Sequence, residues 1–231
     1  MKKLTKKREQ STKKIESKQY SPTEGLTLLK EIATANFIES VEAHIALNID
    51  PRYSDQQLRT TLILPKGTGK TKRIAVLIQN EKITPEIATL GDIVGSEILI
   101  NSIMQGQLNF DILLATPDMM PKLAKLGRIL GPKGLMPSPK AGTVTTDIIS
   151  AINEFKGGKI EYRADKTGIV HLSFGKINFE TDDLLKNLIS VYNSIEQNKP
   201  TGVKGRYFKT LYICSTMSPS ILIDFTLLKS K

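Results

Sequence analysis

The residues best suited to chemistry on a charged partner are the cations of one proline- and glycine-rich segment, Leu126–Val144, which reads LGRILGPKGLMPSPKAGTV. Its three prolines and four glycines exclude a continuous helix or a central strand. No acidic residue occurs from position 119 to position 146. The cations in and beside the segment are Lys125, Arg128, Lys133 and Lys140. Long loops in compact domains are usually functional or disordered. Because proline stiffens this one, the pattern predicts a stiff, basic excursion from the fold that binds a polyanion.

The charge of the whole chain points the same way. The 231 residues carry a net charge of +10, and residues 1–20 alone hold eight cations and two acids. A basic N-terminal arm on a nearly balanced body is typical of nucleic-acid binding. A solvated lysine face that serves solubility is the alternative interpretation. An anionic membrane surface is disfavoured, because the arm lacks the Trp, Phe and Leu face of a helix that lies on membranes.

The metal-binding and thiol chemistry of the chain is limited by two histidines and one cysteine. Cys214 cannot form an intrachain disulfide and fits a reducing compartment. It follows a strand-like pattern, and no histidine neighbours it in sequence, so we expect a small core residue rather than a nucleophile. His44 and His171 also lie in strand-like runs. We therefore expect no metal site, because structural zinc usually needs four ligands, and no cofactor.

Two other sequence patterns could indicate an enzyme, a phosphate-binding loop and a pair of acidic residues, but neither has the surrounding residues that catalysis needs. Gly69-Lys70-Thr71 resembles the end of a phosphate-binding loop, but that motif needs a glycine where Leu64 stands and a helix afterwards. A strand-like run follows instead. Glu39 and Glu42 flank the start of a predicted strand without a partner histidine or metal cluster. The sequence therefore does not support catalysis.

The first and last parts of the chain have the pattern of one-sided strands and amphipathic helices. Ser21 and Glu24 form a capping box at a helix start, and Val41–Ile49 alternates between apolar and polar residues. Leu58–Leu64 alternates in the same way. The C-terminal part adds strand-like Ile160–Arg163, Ile169–Ser173 and Arg206–Cys214, and a long helix over Thr181–Glu196 that Thr181 is predicted to cap. This pattern is typical of an α+β domain with an antiparallel sheet.

The middle of the chain has a different pattern. Arg73–Gln79 and Phe110–Ala115 are continuous apolar runs, as strands buried on both faces require. Helix-like segments alternate with them, which predicts βαβ units and a parallel sheet. We therefore predict a two-domain protein in which a split α+β domain, residues 1–68 and 160–231, receives an inserted α/β domain, residues 69–159. The glycines at the two junctions are a predicted double hinge: Gly67, Gly69, Gly157 and Gly158.

Two segments of the split domain carry side chains suited to RNA. An exposed aromatic such as Phe37 can stack on a base, and the hydroxyls of Ser215–Ser218 can bond to ribose or phosphate. Each has an ordinary alternative. Phe37 fits a core aromatic at a helix end about equally well, and Ser215–Ser218 taken alone favours an ordinary turn.

The same segments carry a family resemblance. In chain order, the motifs are Thr34–Val41, Leu64–Gly69, Leu126–Val144, Tyr162–Gly168 and Ser215–Met217. They resemble the universal L-one family of large-subunit ribosomal proteins, in its bacterial and plastid form. The resemblance covers nearly the whole chain. It implies an rRNA-binding α+β domain built from both chain ends and an inserted, Rossmann-like, three-layer α/β domain.

The resemblance also implies site residues. Contacts to 23S-type rRNA fall on Phe37, Ser40, Glu42, Arg163, Lys166, Ser215, Thr216 and Met217. The inserted domain, with Arg128, Lys133 and Lys140, lies nearer the departing tRNA. The family has a glycine after the threonine-methionine pair, where this chain has Ser218.

The implied role is that of a structural ribosomal protein and not of an enzyme. Such a protein binds rRNA at the mobile stalk next to the E site, assists release of deacylated tRNA, and in this family also represses translation of its own mRNA. No membrane partner is expected, because no apolar run approaches the roughly 18 residues that span a bilayer. High Ile, Lys and Asn usage without a transit peptide favours a plastid-encoded protein of the chloroplast stroma. A bacterial cytoplasmic protein is the alternative.

Overall fold

A computed structural model describes residues 6–79, 81, 83–203 and 205–229, so the first five residues of the basic arm lie outside the described residues. The helices are α1 (Lys6–Lys13), α2 (Pro22–Ile32), α3 (Pro85–Leu90), α4 (Glu97–Met104), α5 (Met120–Ala124), α6 (Gly127–Leu130), α7 (Ile148–Lys156) and α8 (Thr181–Gln197). The strands are β1 (Ser40–Leu47), β2 (Arg59–Ile63), β3 (Ile74–Leu77), β4 (Ile93–Gly95), β5 (Ile112–Ala115), β6 (Lys159–Arg163), β7 (Ile169–Lys176), β8 (Phe208–Ser215) and β9 (Ile221–Ile223).

The chain folds into two compact units. Unit 1 comprises residues 1–69 and 160–231, and unit 2 comprises residues 70–159. At the junctions Gly67, Gly69 and Gly158 have positive φ angles, of 67°, 66° and 105°, whereas Gly157 ends α7 in a right-handed conformation. Only glycine adopts the positive φ values without strain. The hinge function of these four residues stays a prediction.

The main sheet of unit 1 has the strand order β7-β1-β8-β9. Strand β1 pairs antiparallel with both β7 and β8, as its alternation predicts. Its inward residues Val41, Ala43, Ile45 and Leu47 are almost completely buried. Helices α2 and α8 contact each other and the sheet. One face of the sheet is therefore core, and the opposite face presents the alternate polar residues.

The two packing helices begin in different ways. Helix α2 begins with the predicted capping box, in which Ser21 accepts from the Glu24 N–H and the Glu24 carboxylate accepts from the Ser21 N–H. The prediction that Thr181 caps α8 is wrong. Glu180 holds the capping position without a side-chain cap bond, and Thr181 is already helical. The first-turn acids Asp182 and Asp183 still interact favourably with the positive end of the helix dipole.

A tight turn joins β6 to β7 in unit 1. The Asp165 carboxylate accepts from the backbone N–H groups of Thr167 and Ile169, and Gly168 has a φ of 80°. A Cβ atom at Gly168 would lie 3.0 Å from the backbone oxygen of Ile49. Glycine is therefore required at this position for two reasons: its positive φ angle, and the close approach of the backbone that follows β1.

Replacing Gly168 by alanine is expected to lower the free energy of unfolding by about 1–3 kcal/mol, because the new side chain is strained and meets backbone that cannot move aside. Urea unfolding followed by circular dichroism measures the change. Gly127→Ala is the matched control, since nothing lies within 4 Å of a Cβ atom there. Equal stability of the two variants would contradict the assigned turn.

Unit 2 is built on a parallel sheet with the order β4-β3-β5. All four residues of β3 are buried, as the continuous apolar run predicts. Ala75 and Leu77 belong to one apolar cluster, which includes residues of α4, α5 and α6. Ile74 and Val76 belong to a second cluster, which includes residues of α3 and α7. Helices therefore cover both faces of the sheet. Strand β4 is not among the strands predicted from the sequence.

The segment Leu126–Val144 is not the excursion that the sequence predicts. Leu126 and Leu130 are buried in the first cluster, and Val144 forms a parallel bridge with Ala115 at the end of β5. Single turns of helix, α6 and Pro139–Ala141, interrupt the loop. The apolar residues at positions 126, 130, 135 and 136 fasten it to the unit. The cations Arg128, Lys133 and Lys140 stay exposed, together with several of the segment's glycines and prolines.

None of the helices in the described ranges has both the length and the apolar character needed to cross a membrane.

Candidate nucleic-acid interface

The predicted RNA contacts at the two chain ends meet where β1 begins and β8 ends. Val41 lies opposite Ser215 in the sheet register. Beyond that pair, the Thr216 N–H donates to the Ser40 carbonyl at 3.2 Å, and the Ser40 N–H donates to the Thr216 hydroxyl at 3.1 Å. Two segments 176 residues apart in sequence are thus fixed side by side. We call Phe37–Ser40 together with Ser215–Met217 the β1–β8 edge.

A buried carboxylate organises this edge. Glu39 is 1% exposed. Its Oε2 accepts from the Ser215 hydroxyl at 2.7 Å and from the Met217 N–H at 2.9 Å, and its Oε1 accepts from the Ala35 N–H at 3.2 Å. The sequence prediction for Glu39 considered only a partner histidine or a metal cluster, and it did not foresee these hydrogen bonds. Two of the partners, Ser215 and Met217, come from the far end of the chain, so local sequence gives no signal for them.

Two large apolar side chains of the β1–β8 edge are exposed. Phe37 is 55% exposed and Met217 is 63% exposed, so the alternative interpretation of Phe37 as a core aromatic is wrong. Large apolar side chains normally avoid water, and here they project from a segment that a buried network holds rigid. Such a surface is suited to stacking on a planar partner.

The polar residues of the edge divide into exposed and buried groups. Thr216 is exposed. Ser215 is 1% exposed, and its hydroxyl donates a hydrogen bond to the Glu39 carboxylate. Ser40 is half-buried and receives a 3.0 Å hydrogen bond from Lys176. Lys176, which brings a cation to the edge, is not among the residues predicted from the sequence.

Ser218 occupies the position for which the resemblance implies a glycine. Its hydroxyl accepts from the Ser215 N–H at 2.8 Å, and its own N–H donates to the Ser215 carbonyl. No described residue other than glycine has a positive φ angle. Serine is therefore accommodated without strain, and it closes the turn that presents Thr216 and Met217.

Arg163 and Lys166 lie away from the β1–β8 edge. Both are exposed and line a cleft of about 300 Å³ at the turn between β6 and β7. The adjoining Gly168 carbonyl accepts from the Leu47 N–H, at the opposite end of β1 from Ser40. Seven residue-to-residue steps along this extended strand separate its two ends by roughly 23 Å. The predicted rRNA residues therefore form two patches on unit 1.

The predicted cations of unit 2 are available to a partner. Arg128, Lys133 and Lys140 are all exposed, on the segment that its apolar residues fasten to the unit. Glu42, the remaining predicted contact, lies on the outward face of β1 and is half-buried.

Glu42 has neighbours that the sequence analysis did not connect. His44 Nε2 lies 3.1 Å from Cys214 Sγ, and His44 Nδ1 lies 2.8 Å from His171 Nδ1. Burial and the neighbouring His171 lower the pKa of His44. Burial and the negative charge of Glu42 raise the pKa of the Cys214 thiol. An activated cysteine nucleophile needs the opposite shift, so this pair does not have the properties of a catalytic dyad.

The comparisons with known proteins agree on one family. The protein-family model described as "Ribosomal protein L1p/L10e family" matches residues 29–219 of this chain. The chain is 60% identical to the large ribosomal subunit protein uL1c of Guillardia theta over 231 residues, which cover 100% of this chain and 99% of that protein. It is 57% identical to the large ribosomal subunit protein uL1 of Thermosynechococcus vestitus over 229 residues, or 99% of this chain and 97% of that protein.

A protein with this fold, matching these relatives over its whole length, belongs to the ribosomal protein L1p/L10e family. This result confirms the resemblance drawn from the sequence motifs. Members of the family are structural proteins and not enzymes, which agrees with the failure of the phosphate-loop and nucleophile interpretations.

Proposed function

We propose that this protein is a structural component of the large ribosomal subunit and binds 23S-type rRNA directly through the β1–β8 edge. The observation that carries the proposal is the buried Glu39, which holds exposed Phe37, Thr216 and Met217 in one rigid arrangement. The relatives that the chain matches are named large ribosomal subunit proteins uL1c and uL1.

The edge offers the groups that RNA recognition uses. Phe37 supplies an aromatic face for an unstacked base. The Thr216 hydroxyl accepts from the Ser40 N–H and keeps its own proton for donation to a ribose or phosphate oxygen. Lys176 adds positive charge beside Ser40. These contacts read RNA shape and the 2′-hydroxyl rather than a duplex sequence.

The two-patch arrangement on unit 1 supports recognition of a folded RNA rather than a short single strand. Arg163 and Lys166 would contact phosphates near the end of β1 that lies roughly 23 Å from Ser40, so the bound RNA would span several nucleotides. In this proposal the β1–β8 edge supplies specificity and the distant cations supply salt-dependent affinity.

Unit 2 is proposed to be the inserted, Rossmann-like domain on the tRNA side of the stalk. Its parallel sheet covered by helices on both faces and its exposed Arg128, Lys133 and Lys140 support a transient contact with deacylated tRNA in the E site. The junction glycines would allow it to follow the moving stalk. Repression of the protein's own mRNA would use the same β1–β8 edge on an rRNA-like structure. The names uL1c and uL1 of its relatives support the proposal that it works in a plastid stroma, with a bacterial cytoplasm as the alternative.

Replacing Phe37 by alanine, or Thr216 by valine, is expected to weaken binding to a stalk fragment of large-subunit rRNA by about 1–3 kcal/mol, the value of one stacked base or specific polar contact. Filter binding across a salt series measures both the affinity and the number of phosphates neutralised. The salt dependence should stay the same in both variants, since neither removes a cation.

The matched controls are Leu227→Ala, which truncates another exposed apolar side chain of unit 1, and Thr27→Val, which removes an exposed hydroxyl from α2. Both should bind as the unchanged protein does. Full affinity in Phe37→Ala and Thr216→Val would contradict the site. Equal affinity for stalk RNA and random RNA would indicate a general RNA chaperone instead.

A further inference from the structure

The outward face of the main sheet brings together three potential metal ligands. Glu42 and His44 lie two residues apart on β1, so their side chains share a face, and Cys214 lies opposite Glu42 on β8. One ligand atom from each residue lies within 4.8 Å of the other two. All three side chains are half-buried, so an ion can reach them from solvent while the strands hold them in place.

The neighbours of His44 prepare one of its nitrogens for a metal. Nδ1 lies 2.8 Å from His171 Nδ1, and His171 Nε2 faces the Asp165 carboxylate at 3.7 Å. With a proton on Nε2, His171 offers Nδ1 as the acceptor for an N–H on His44 Nδ1. The Nε2 lone pair of His44 is then directed towards Cys214. A second residue that fixes the tautomer in this way is the usual companion of a metal-bound histidine.

We propose that Glu42, His44 and Cys214 bind one Zn²⁺ ion, with a fourth coordination position open to water or to another ligand. Zinc accepts this mixture of carboxylate oxygen, imidazole nitrogen and thiolate sulfur. Three protein ligands with an open position are a common zinc arrangement. Softer Cu⁺ would disfavour the carboxylate, and Mg²⁺ would disfavour the sulfur.

Zinc binding requires loss of the Cys214 thiol proton and a small movement of side chains. The Cys214 S–H bond breaks, its proton goes to solvent, and a zinc–thiolate bond forms alongside bonds to Nε2 and a carboxylate oxygen. Tetrahedral zinc with ordinary Zn–S and Zn–N lengths separates the two atoms by about 3.6 Å. His44 Nε2 and Cys214 Sγ lie 3.1 Å apart. Rotation of these half-buried side chains that increases the distance between the two atoms by a few tenths of an ångström therefore admits the ion.

Cobalt is the probe for this site, because Co²⁺ substitutes for zinc and a thiolate bound to it absorbs in the near ultraviolet. Cys214 is the only cysteine of the chain, so such a band reports on this residue alone. Titration of the reduced, RNA-free, full-length protein with Co²⁺ is expected to produce the band at one equivalent, and Zn²⁺ is expected to abolish it.

The variants separate metal binding from structural effects. Cys214→Ser should lose the band, while His44→Gln and Glu42→Gln should weaken Co²⁺ binding at least tenfold. Thr210→Ser, a conservative change on the same face of β8, is the matched control and should bind normally. Circular dichroism confirms that each variant is folded.

Absence of the band in the folded, unchanged protein would overturn the proposal. It would also be overturned if His44→Gln and Glu42→Gln bound Co²⁺ as tightly as the unchanged protein does. Because the titration contains no RNA, either result leaves the proposed rRNA binding standing.

Discussion

Replacing Glu39 by alanine is expected to lower the free energy of unfolding by about 2–4 kcal/mol and to weaken binding to stalk rRNA at least tenfold. The change leaves three donors without their acceptor: the Ser215 hydroxyl and the N–H groups of Met217 and Ala35. Buried donors without partners cost about 1–3 kcal/mol, and bonds to a charged acceptor are among the stronger ones. RNA affinity falls because these bonds hold the β1–β8 edge together.

Two further variants make this experiment decisive. Glu39→Gln keeps the shape and one acceptor oxygen, so its loss of stability should be intermediate. Glu31→Ala removes an exposed carboxylate from α2 and should change stability by less than about 0.5 kcal/mol. Urea unfolding and filter binding are measured on all three. If Glu39→Ala matched Glu31→Ala in both assays, Glu39 would not organise the edge.

Replacing Asn187 by alanine is expected to lower the free energy of unfolding by about 2–4 kcal/mol while leaving the β1–β8 edge intact. Asn187 is fully buried on α8. Its amide donates to the carbonyls of Gly67 and Phe174, and its oxygen accepts from the Lys66 N–H. The side chain therefore connects the 64–69 segment to α8 and β7. Its loss removes the partner of three backbone groups, of which the Phe174 carbonyl is buried and the other two are partly buried.

Thermal unfolding and RNA binding test this second prediction together. Asn193→Ala, a half-buried asparagine on the same helix, is the control and should cost less than about 1 kcal/mol. Measured below the unfolding transition, the RNA affinity of Asn187→Ala should equal that of the unchanged protein. A stability equal to that of Asn193→Ala would contradict the connecting role.

Periodicity predicted those parts of the fold that depend on one segment at a time. Strand β1 alternates because one face is core, and β3 is continuously apolar because helices cover both its faces. The capping box of α2 is likewise local. The short strand β4 escaped prediction, since three residues beside a glycine carry too little pattern. The 126–144 segment was mispredicted because its scattered leucines and its one methionine form no regular period.

The interface depends on pairings across the chain, which spacing alone does not reveal. Family resemblance indicated Phe37 and Thr216, but the role of Glu39 becomes visible only when Ser215 is placed beside it. The approach of His44 to Cys214 depends in the same way on the register of β1 with β8. Sequence reasoning found no histidine near this cysteine, because 170 residues separate the two.

The most direct test of rRNA binding at the β1–β8 edge is photocrosslinking from position 37. A photoreactive phenylalanine analogue replaces Phe37, the protein is bound to large-subunit rRNA, and the crosslinked nucleotides are mapped. The same analogue in place of Leu227, another exposed position of unit 1, serves as the reference. The proposal predicts crosslinks within the stalk from position 37 and none there from position 227. Stalk crosslinks from position 227 alone, or none in the stalk from position 37, would contradict it.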